Sequence, residues 1–389
     1  MIPYGLHQIN QQDIDAVVEV LRSDFLTQGP VLPQFERQIA QATQSQYCIA
    51  VNSATSALHL ACLALNLGKD DVVWTSPISF VASANCALYC GAQIDFVDID
   101  PDTYNLSAVA LSKKLQYNKQ HNLPLPKIVI VVHLAGQPCD MQAIYELSQQ
   151  FHFAIIEDAS HAIGAQYHAQ KVGSCQYSDV SVFSFHPVKI ITTGEGGALT
   201  TNSEELYQKI NLLRSHGITR DESLMHEASH GPWYYQQIAL GFNYRMTEIQ
   251  AALGLSQLTR LDDFIQQRRA LAQRYLQKLK DLPLKLPVEM ANTQSAYHLF
   301  IIRLELDNIP LTHRQVFEWL RENGIGVNLH YIPIHTQPYY QDLGFQIGQF
   351  PCAENYYQQA MSIPLFHGMS QQQQDKVISS LTKILSGTI

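Results

Sequence analysis

Apolar and polar positions along this chain switch repeatedly between two periods. Short apolar runs rich in Val, Ile and aromatic residues occur at Tyr47–Val51, Val72–Thr75, Gln93–Val97, Lys127–Val132, Phe153–Ile156, Val180–Phe185 and Ala198–Thr201. Each is short and bounded by turn-forming residues, which is how a strand covered on both faces reads. Between them lie stretches with apolar residues at helical spacing. Asp13–Ser23 opens the series as a helix, with Ile14, Val17, Val18 and Leu21 on one face. Strand–helix alternation predicts a doubly wound α/β domain with a mostly parallel sheet. Leu253–Leu279 reads as one long helix leading into a smaller α+β domain, in which His298–Glu305 is a predicted strand and Arg314–Asn323 a helix ending at Gly324. The expected division is 1–252 and 253–389, with segment 1–30 free to pack on the smaller domain. Arg220–Gly231 is polar and irregular, a loop that could be mobile near a site or inert.

Within this frame Val180–Thr201 stands out. Lys189 lies between two apolar runs, preceded by Ser184 and followed by Gly194, Gly196 and Gly197. Burying an unpartnered ammonium is costly. A desolvated amine is, however, suited to forming a Schiff base with an aldehyde such as that of pyridoxal phosphate (PLP). The competing reading is a surface lysine on a hairpin. Upstream, Glu157-Asp158 falls at the carboxyl end of a predicted strand, where ligands of open parallel sheets bind. An acidic group there can hold the ring nitrogen of PLP protonated, or it can simply cap the next helix. His161, one turn on, could lie against the ring. Ser53, Ala54 and Thr55 begin the helix after Tyr47–Val51, and free N–H groups at a helix start suit a phosphate. Ser184 could add a hydroxyl. Phe80, at the start of the next helix, could stack on a ring or be an ordinary core aromatic. Neither G-x-G-x-x-G nor G-x-x-x-x-G-K-[ST] occurs, so dinucleotide and nucleoside-triphosphate readings lack their best evidence.

These segments carry a resemblance. T-Q-G-P-x-x-x-x-F-E (27–36), N-S-A-T-S-A-L (52–58), H-L-A-G-Q-P-C-D-M (133–141), E-D-A-S-H-A-I-G (157–164), F-S-F-H-P-V-K (183–189), G-E-G-G-A (194–198) and G-F-N-Y-R-M-T-E-I-Q-A-A (241–252) follow one another in order. Together they resemble the DegT/DnrJ/EryC1/StrS sugar aminotransferases, PLP enzymes of fold type I (aspartate-aminotransferase-like). The resemblance implies Lys189 as the cofactor-bearing lysine and Asp158 as the ring-nitrogen partner. It places His161 beside the cofactor, Phe80 in the stacking position, and Ser184, Ala54 and Thr55 on the phosphate. Asn243 matches an asparagine that reaches the phosphate of the neighbouring subunit, which implies a homodimer with a shared site.

The C-terminal third, G-V-N-L-H-Y-I-P-I-H-T-Q-P-Y-Y (326–340) and F-P-C-A-E-N-Y-Y-Q-Q-A-M-S-I-P-L-F (350–366), resembles a subgroup acting in pseudaminic acid biosynthesis. That subgroup implies amino transfer from L-glutamate to C4 of UDP-2-acetamido-2,6-dideoxy-β-L-arabino-hex-4-ulose. Other nucleotide keto sugars, of bacillosamine type at C4 or dTDP-linked at C3, remain alternatives. Arg245 is a candidate for the donor carboxylate or nucleotide phosphates, and His330, Tyr331 and His335 for the sugar nucleotide; packing within the small domain is their competing role. Sugar dehydratases of the family carry His where Lys189 stands; His186 is three residues early. A PLP-binding regulator without turnover is a further alternative, opposed by the intact Asp158–Lys189 pair.

Composition narrows the rest. With 389 residues, 46% hydrophobic and 15% charged, the chain is long enough for two domains around a large core. A net charge of −9 speaks against polyanion binding, so no nucleic-acid partner is expected. Seven cysteines without a C-x-x-C pair read as reduced core thiols, and no metal site is expected. The N-terminus lacks a signal-peptide pattern and no run of about twenty apolar residues exists, so a cytoplasmic protein with no membrane partner is expected.

Overall fold

The computed structural model describes residues 1–386; the last three positions of the expected second domain, 387–389, lie outside the described residues. All seven predicted strands of the first domain form: β1 (Tyr47–Val51), β2 (Val72–Thr75), β3 (Gln93–Phe96), β4 (Ile128–Val132), β5 (Ala154–Asp158), β6 (Val180–Ser184) and β7 (Gly197–Thr201). They build one sheet in the order β1-β7-β6-β5-β4-β2-β3. Only β7 runs against its neighbours, pairing antiparallel with β1 and β6. The other pairings, β2–β3, β2–β4, β4–β5 and β5–β6, are parallel. This is the fold type I architecture: α1 (Gln11–Leu21) packs on the later helix Glu248–Leu258, and the sheet is covered by α2 (Val31–Thr43), α3 (Ala54–Ala64), α4 (Ala82–Tyr89), α5 (Ala108–Gln120), α6 (Met141–Phe151) and α7 (Glu204–Arg214).

Parallel order matters for function because it gathers strand ends. In open parallel sheets the crevice beyond the carboxyl ends is the binding edge. Asp158 is itself the last residue of β5, one strand from Ser184 at the end of β6. The start of α3 follows directly on β1, and Gly197 opens β7 beside it. A Cβ on Gly197 would meet the backbone N of Ala54 and C of Ser53 at 2.6 Å, so the missing side chain lets the helix start approach the sheet.

One helical expectation differs from the structure. The stretch Leu253–Leu279 is two helices, α8 (Glu248–Leu258) and α9 (Leu261–Lys278), separated at Thr259-Arg260. The Thr259 hydroxyl bonds back to the Ser256 carbonyl at 2.7 Å, and the Arg260 guanidinium turns to Asp13 at 2.5 Å and over the Phe264 ring. Helical periodicity continues across the break, which is why the sequence pattern conceals it. In α1, which forms as expected, Ile14 and Leu21 at the two ends of the apolar stripe are exposed, Val17 and Val18 are half-buried, and Asp13 and Val20 are buried. The Asp13 carboxylate decides this orientation. It accepts from Ser256, Gln257, Arg260 and the N-cap N–H of Asn10. Burial alone would raise its pKa; those donors outweigh burial and lower it.

The C-terminal part builds a second sheet from β8 (Leu284–Lys285), β9 (Phe300–Leu304) and β10 (Ala360–Ile363), antiparallel in the order β8-β9-β10. It is backed by α9, α10 (His313–Glu322) and the C-terminal α12 (Gln371–Leu385), while α11 (Pro351–Gln359) packs Ala353 and Tyr356 into the core shared with the first sheet. Two seams tie this part to the first. Thr293–Gln294 pairs with Gln166–Tyr167, and Ile2 exchanges backbone hydrogen bonds with Gly324 and Gly326. The stretch Arg220–Gly231 lies mostly between the short paired strands Ile218–Thr219 and Gln236–Gln237, and contains one 3-10 turn, Glu222–Leu224. Among the described residues, no helix is long and apolar enough to cross a membrane.

Candidate active site

A cavity of about 430 Å³ opens at the carboxyl edge of the large sheet, a size typical of small-ligand pockets. Its lining includes Ser53, Ala54, Thr55, Phe80, Asp158, His161, Ser184 and Lys189. Residues separated by more than a hundred positions thus meet at one place.

The helix start is prepared for an anion. Ser53 caps α3 by accepting the Ser56 N–H at 3.1 Å. The N–H groups of Ala54 and Thr55, in the first turn, have no acceptor among the described residues and lie on the cavity wall. Ser184 borders the same space. Unpaired N–H groups and the helix dipole together favour a phosphate there.

Lys189 sits in the turn after β6, held by its own N–H to the His186 carbonyl at 2.9 Å. The residue as a whole is half-buried, but its ammonium is enclosed within the protein. Enclosure lowers its pKa from 10.5 to about 8, with the charge of Asp158 opposing the shift. No ion pair within 4 Å links the two side chains, and Nζ has no hydrogen-bond partner among the described residues. Both groups therefore face the cavity across a gap rather than quenching each other.

Asp158 is buried and partly committed. Its Oδ2 accepts from the Ser83 hydroxyl at 2.6 Å and its Oδ1 from the Ser160 N–H at 3.1 Å. His161 Nδ1 accepts the Ala135 N–H at 3.2 Å, which leaves the ring proton on Nε2 to donate to Tyr331 Oη at 3.2 Å. The Tyr331 hydroxyl consequently keeps its own proton for another acceptor. Burial holds the Tyr331 hydroxyl well above the ordinary phenol range. His161 and His330 are kept neutral by burial and then by the Lys189 charge, His330 at about 4. Phe80 is 59% exposed although it is a large aromatic, and its ring lies 6.3 Å from that of Tyr331 at the cavity mouth.

The remaining sequence candidates divide. His330 and Tyr331 line the cavity. His335 does not: it is fully buried, with Nε2 2.9 Å from Glu354 Oε1 and its ring packed near Phe96 and Phe350. Arg245 and Asn243 are outside the cavity lining. Arg245 donates to Ser215 Oγ at 2.9 Å, and Asn243 is exposed, tied to Ser215 through a backbone bridge. The Arg220–Gly231 loop contributes nothing to the lining either.

Sequence reasoning missed Tyr4, Ser79, Ser83, Glu195 and His298. The pair Ser79 and Ser83, at i and i+4 in S-F-V-A-S, was visible as a spacing. Tyr4 and His298 gave no local signal. His298, 4.4 Å ring to ring from His161, arrives from the second sheet, and Tyr4 packs 5.3 Å from His330. Among the described residues no cluster of three or more His, Cys, Asp or Glu could hold a metal.

The residues fit PLP: orphan N–H groups for a phosphate, an unpaired amine of lowered basicity for an aldehyde, a buried carboxylate across the gap, and an aromatic at the mouth. Comparison with known proteins agrees. Residues 7–382 match the model of the DegT/DnrJ/EryC1/StrS aminotransferase family. The chain is 38% identical over 389 residues to the spore coat polysaccharide biosynthesis protein SpsC of Bacillus subtilis, covering 99% of this chain and 97% of that one. It is 36% identical over 392 residues to a UDP-4-amino-4,6-dideoxy-N-acetyl-beta-L-altrosamine transaminase of Campylobacter jejuni, covering 100% and 99%. Among solved structures, Helicobacter pylori PseC, an aminotransferase involved in the biosynthesis of pseudoaminic acid, superposes with a TM-score of 0.89 at 31% identity, covering 99% of each chain. With its fold, its cavity and nearly its whole length in agreement, the chain belongs to the DegT/DnrJ/EryC1/StrS family and is a PLP-dependent sugar aminotransferase.

Proposed function

We propose that this enzyme transfers the amino group of L-glutamate to C4 of UDP-2-acetamido-2,6-dideoxy-β-L-arabino-hex-4-ulose, in pseudaminic acid biosynthesis. The observation that carries this reading is end-to-end similarity to transaminases of that name, combined with His330 and Tyr331 on the cavity wall. Similarity to SpsC supports a second reading, in which the acceptor is another nucleotide-linked keto sugar.

PLP, when bound, supplies an aldehyde for covalent attachment to an amine and a ring that accepts electron density. The roles of the protein follow from the cavity. Lys189 Nζ would carry the attachment and, once freed by the donor amine, would take the proton from the α-carbon of glutamate and deliver it, across the intervening nitrogen, to the carbon that was the cofactor's aldehyde. Its lowered pKa keeps a usable neutral fraction near neutrality. Asp158 holds the proton on the ring nitrogen. Ala54 and Thr55 N–H groups and the Ser184 hydroxyl fix the phosphate; Phe80 covers a ring face and His161 borders the ring. The Tyr331 hydroxyl, with its proton free, orients an oxygen of the sugar, and His330 borders the same subsite. His335 supports this segment through Glu354 from outside the cavity.

A homodimer completes the site in this reading. Asn243 is exposed, and Ile14, Leu21, Phe25, Leu26, Trp233 and Leu240 present apolar surface that a second copy would cover. Asn243 then reaches the phosphate of the neighbour, and Arg245 lies close enough in sequence to serve a carboxylate or phosphate near it. The chain divides into a cofactor domain and a smaller C-terminal domain near the α8–α9 turn, and the enzyme acts in the cytoplasm on soluble substrates.

The test is a substrate panel. Purified holoenzyme is incubated with glutamate and, separately, the β-L-arabino and α-D-xylo UDP-4-keto epimers and a dTDP-3-keto sugar. Preference for the β-L-arabino compound is expected, because buried polar groups placed for one sugar are left unpaired by another. Preference for the α-D-xylo epimer or the dTDP sugar overturns the assignment.

A further inference from the structure

The carboxylate of Asp158 is the terminus of a directional chain of hydroxyls. Ser83 Oγ lies 2.6 Å from Asp158 Oδ2, and Ser79 Oγ lies 2.7 Å from Ser83 Oγ. A serine hydroxyl has one hydrogen. The carboxylate can only accept, so the Ser83 hydrogen is committed to it. Ser79 must then donate to Ser83, and the order Ser79 to Ser83 to Asp158 has a single sense. Ser83 is fully buried, and Ser79, nearly so, lies at the cavity wall. Ser83 belongs to the first turns of α4, and Ser79 directly precedes Phe80 at the cavity mouth. The backbone that carries the aromatic is thereby tied to the group beneath the cavity.

We propose that Ser83, supported by Ser79, is a positioning residue that sets the orientation of the Asp158 carboxylate and with it the protonation of the cofactor's ring nitrogen. This rests on the reading of Asp158 as the ring-nitrogen partner. The Ser160 N–H holds Oδ1 and the Ser83 hydroxyl holds Oδ2, so each carboxylate oxygen has its own donor. Hydrogen bonds in such chains polarise one another, so removal of the first link weakens the second. Without Ser83, Oδ2 loses its donor and only the Ser160 N–H on Oδ1 still orients the group.

Holoenzyme reconstituted with PLP labelled with 15N in the ring reads the effect directly, because the nitrogen resonance reports ring protonation. Ser83→Ala is expected to move this resonance toward the unprotonated position. It should slow the glutamate half-reaction about tenfold to hundredfold, the usual range for loss of a hydrogen bond to a charged group, with little change in glutamate affinity. Ser79→Ala should give a smaller change of the same sign, and Ser83→Thr, which retains the hydroxyl, should restore much of the wild-type signal. A resonance and a half-reaction rate equal to wild type in Ser83→Ala overturn the inference. If Ser83→Ala does not fold, Ser79→Ala decides: an unshifted resonance there overturns it. Asp158→Asn separates the two levels of the argument. If it shifts the resonance while both serine variants do not, only this inference fails. If Asp158→Asn also leaves it unmoved, the reading of Asp158 fails and this inference with it.

Discussion

The basicity of Lys189 can be predicted quantitatively. Enclosure brings its amine from 10.5 to about 8, and the Asp158 charge acts in the opposite direction. At about pH 7.5 an amine of pKa about 8 is roughly one-quarter neutral, whereas one at 10.5 is about one-thousandth neutral. The nucleophilic fraction is therefore about 200-fold larger than for an ordinary lysine. Asp158→Asn removes the opposing charge and should lower the pKa further. The two side chains form no ion pair within 4 Å. At an effective dielectric constant of about 20 their interaction is then below about 4 kcal/mol, which bounds the fall at about three units; roughly one unit is expected. The assay is the rate of PLP capture by apoenzyme across pH, followed by absorbance, with the ratio of variant to wild type removing the titration of PLP itself. The wild-type midpoint should lie near 8 and the variant midpoint below it. A wild-type midpoint near 10, or an upward shift in Asp158→Asn, would refute the argument. The same shift affects folding. Between about pH 8 and 10.5 the folded chain binds fewer protons at Lys189 than the unfolded chain, so this amine's penalty is full below about pH 8 and is relieved as pH rises toward 10.5. Lys189→Met should accordingly stabilise the apoenzyme near neutrality by up to about 3 kcal/mol.

Lys189→Ala should abolish turnover and the absorbance of attached cofactor while circular dichroism stays unchanged; borohydride trapping of PLP on another lysine in that variant would contradict the assignment. Mixing Asn243→Ala with Lys189→Ala subunits should restore part of the activity through heterodimers, and absence of rescue after verified subunit exchange would remove Asn243 from the neighbour's site. Glu354→Ala should destabilise the fold by about 1–3 kcal/mol, with far less effect on catalysis, as chemical denaturation and steady-state assays can show. Burial alone would raise the Glu354 pKa, but donors from His335, Gly348 and Phe350 outweigh it, so this contribution is present above 4.5 and lost as pH falls through the lowered folded value. Gly197→Ala should lose PLP affinity, because its Cβ would collide with the backbone of Ser53 and Ala54; unchanged affinity would show that the helix start can move.

The sequence by itself determined the large sheet. Each of its seven strands is a short apolar run whose neighbours in sequence are helical, so local periodicity and the rule for parallel sheets suffice to predict the fold class. It also placed Asp158, Ser184 and the start of α3 at strand ends, because a strand end is a local property. Lys189, His161 and Phe80 were candidates on the same local reading, and the matching motifs implied their roles. Tertiary structure decided what local pattern cannot carry. Whether a helical face is buried depends on its partner, so in α1 Asp13 is buried against Arg260, Gln257 and Ser256 while the apolar Ile14 and Leu21 stay exposed. Periodicity cannot register a turn that preserves phase, so α8 and α9 read as one helix. His330, Tyr331 and His335 are near neighbours in sequence, yet only the first two line the cavity, because the short helical turn at Ile334–Thr336 carries His335 into the core beside Glu354. Tyr4 and His298 reach the cavity only when the second sheet and the N-terminal segment close over the strand ends, and the Ser79–Ser83–Asp158 chain forms only when α4 packs beside the end of β5. Long-range contacts of this kind are set by packing, and packing has no signature in a single stretch of sequence.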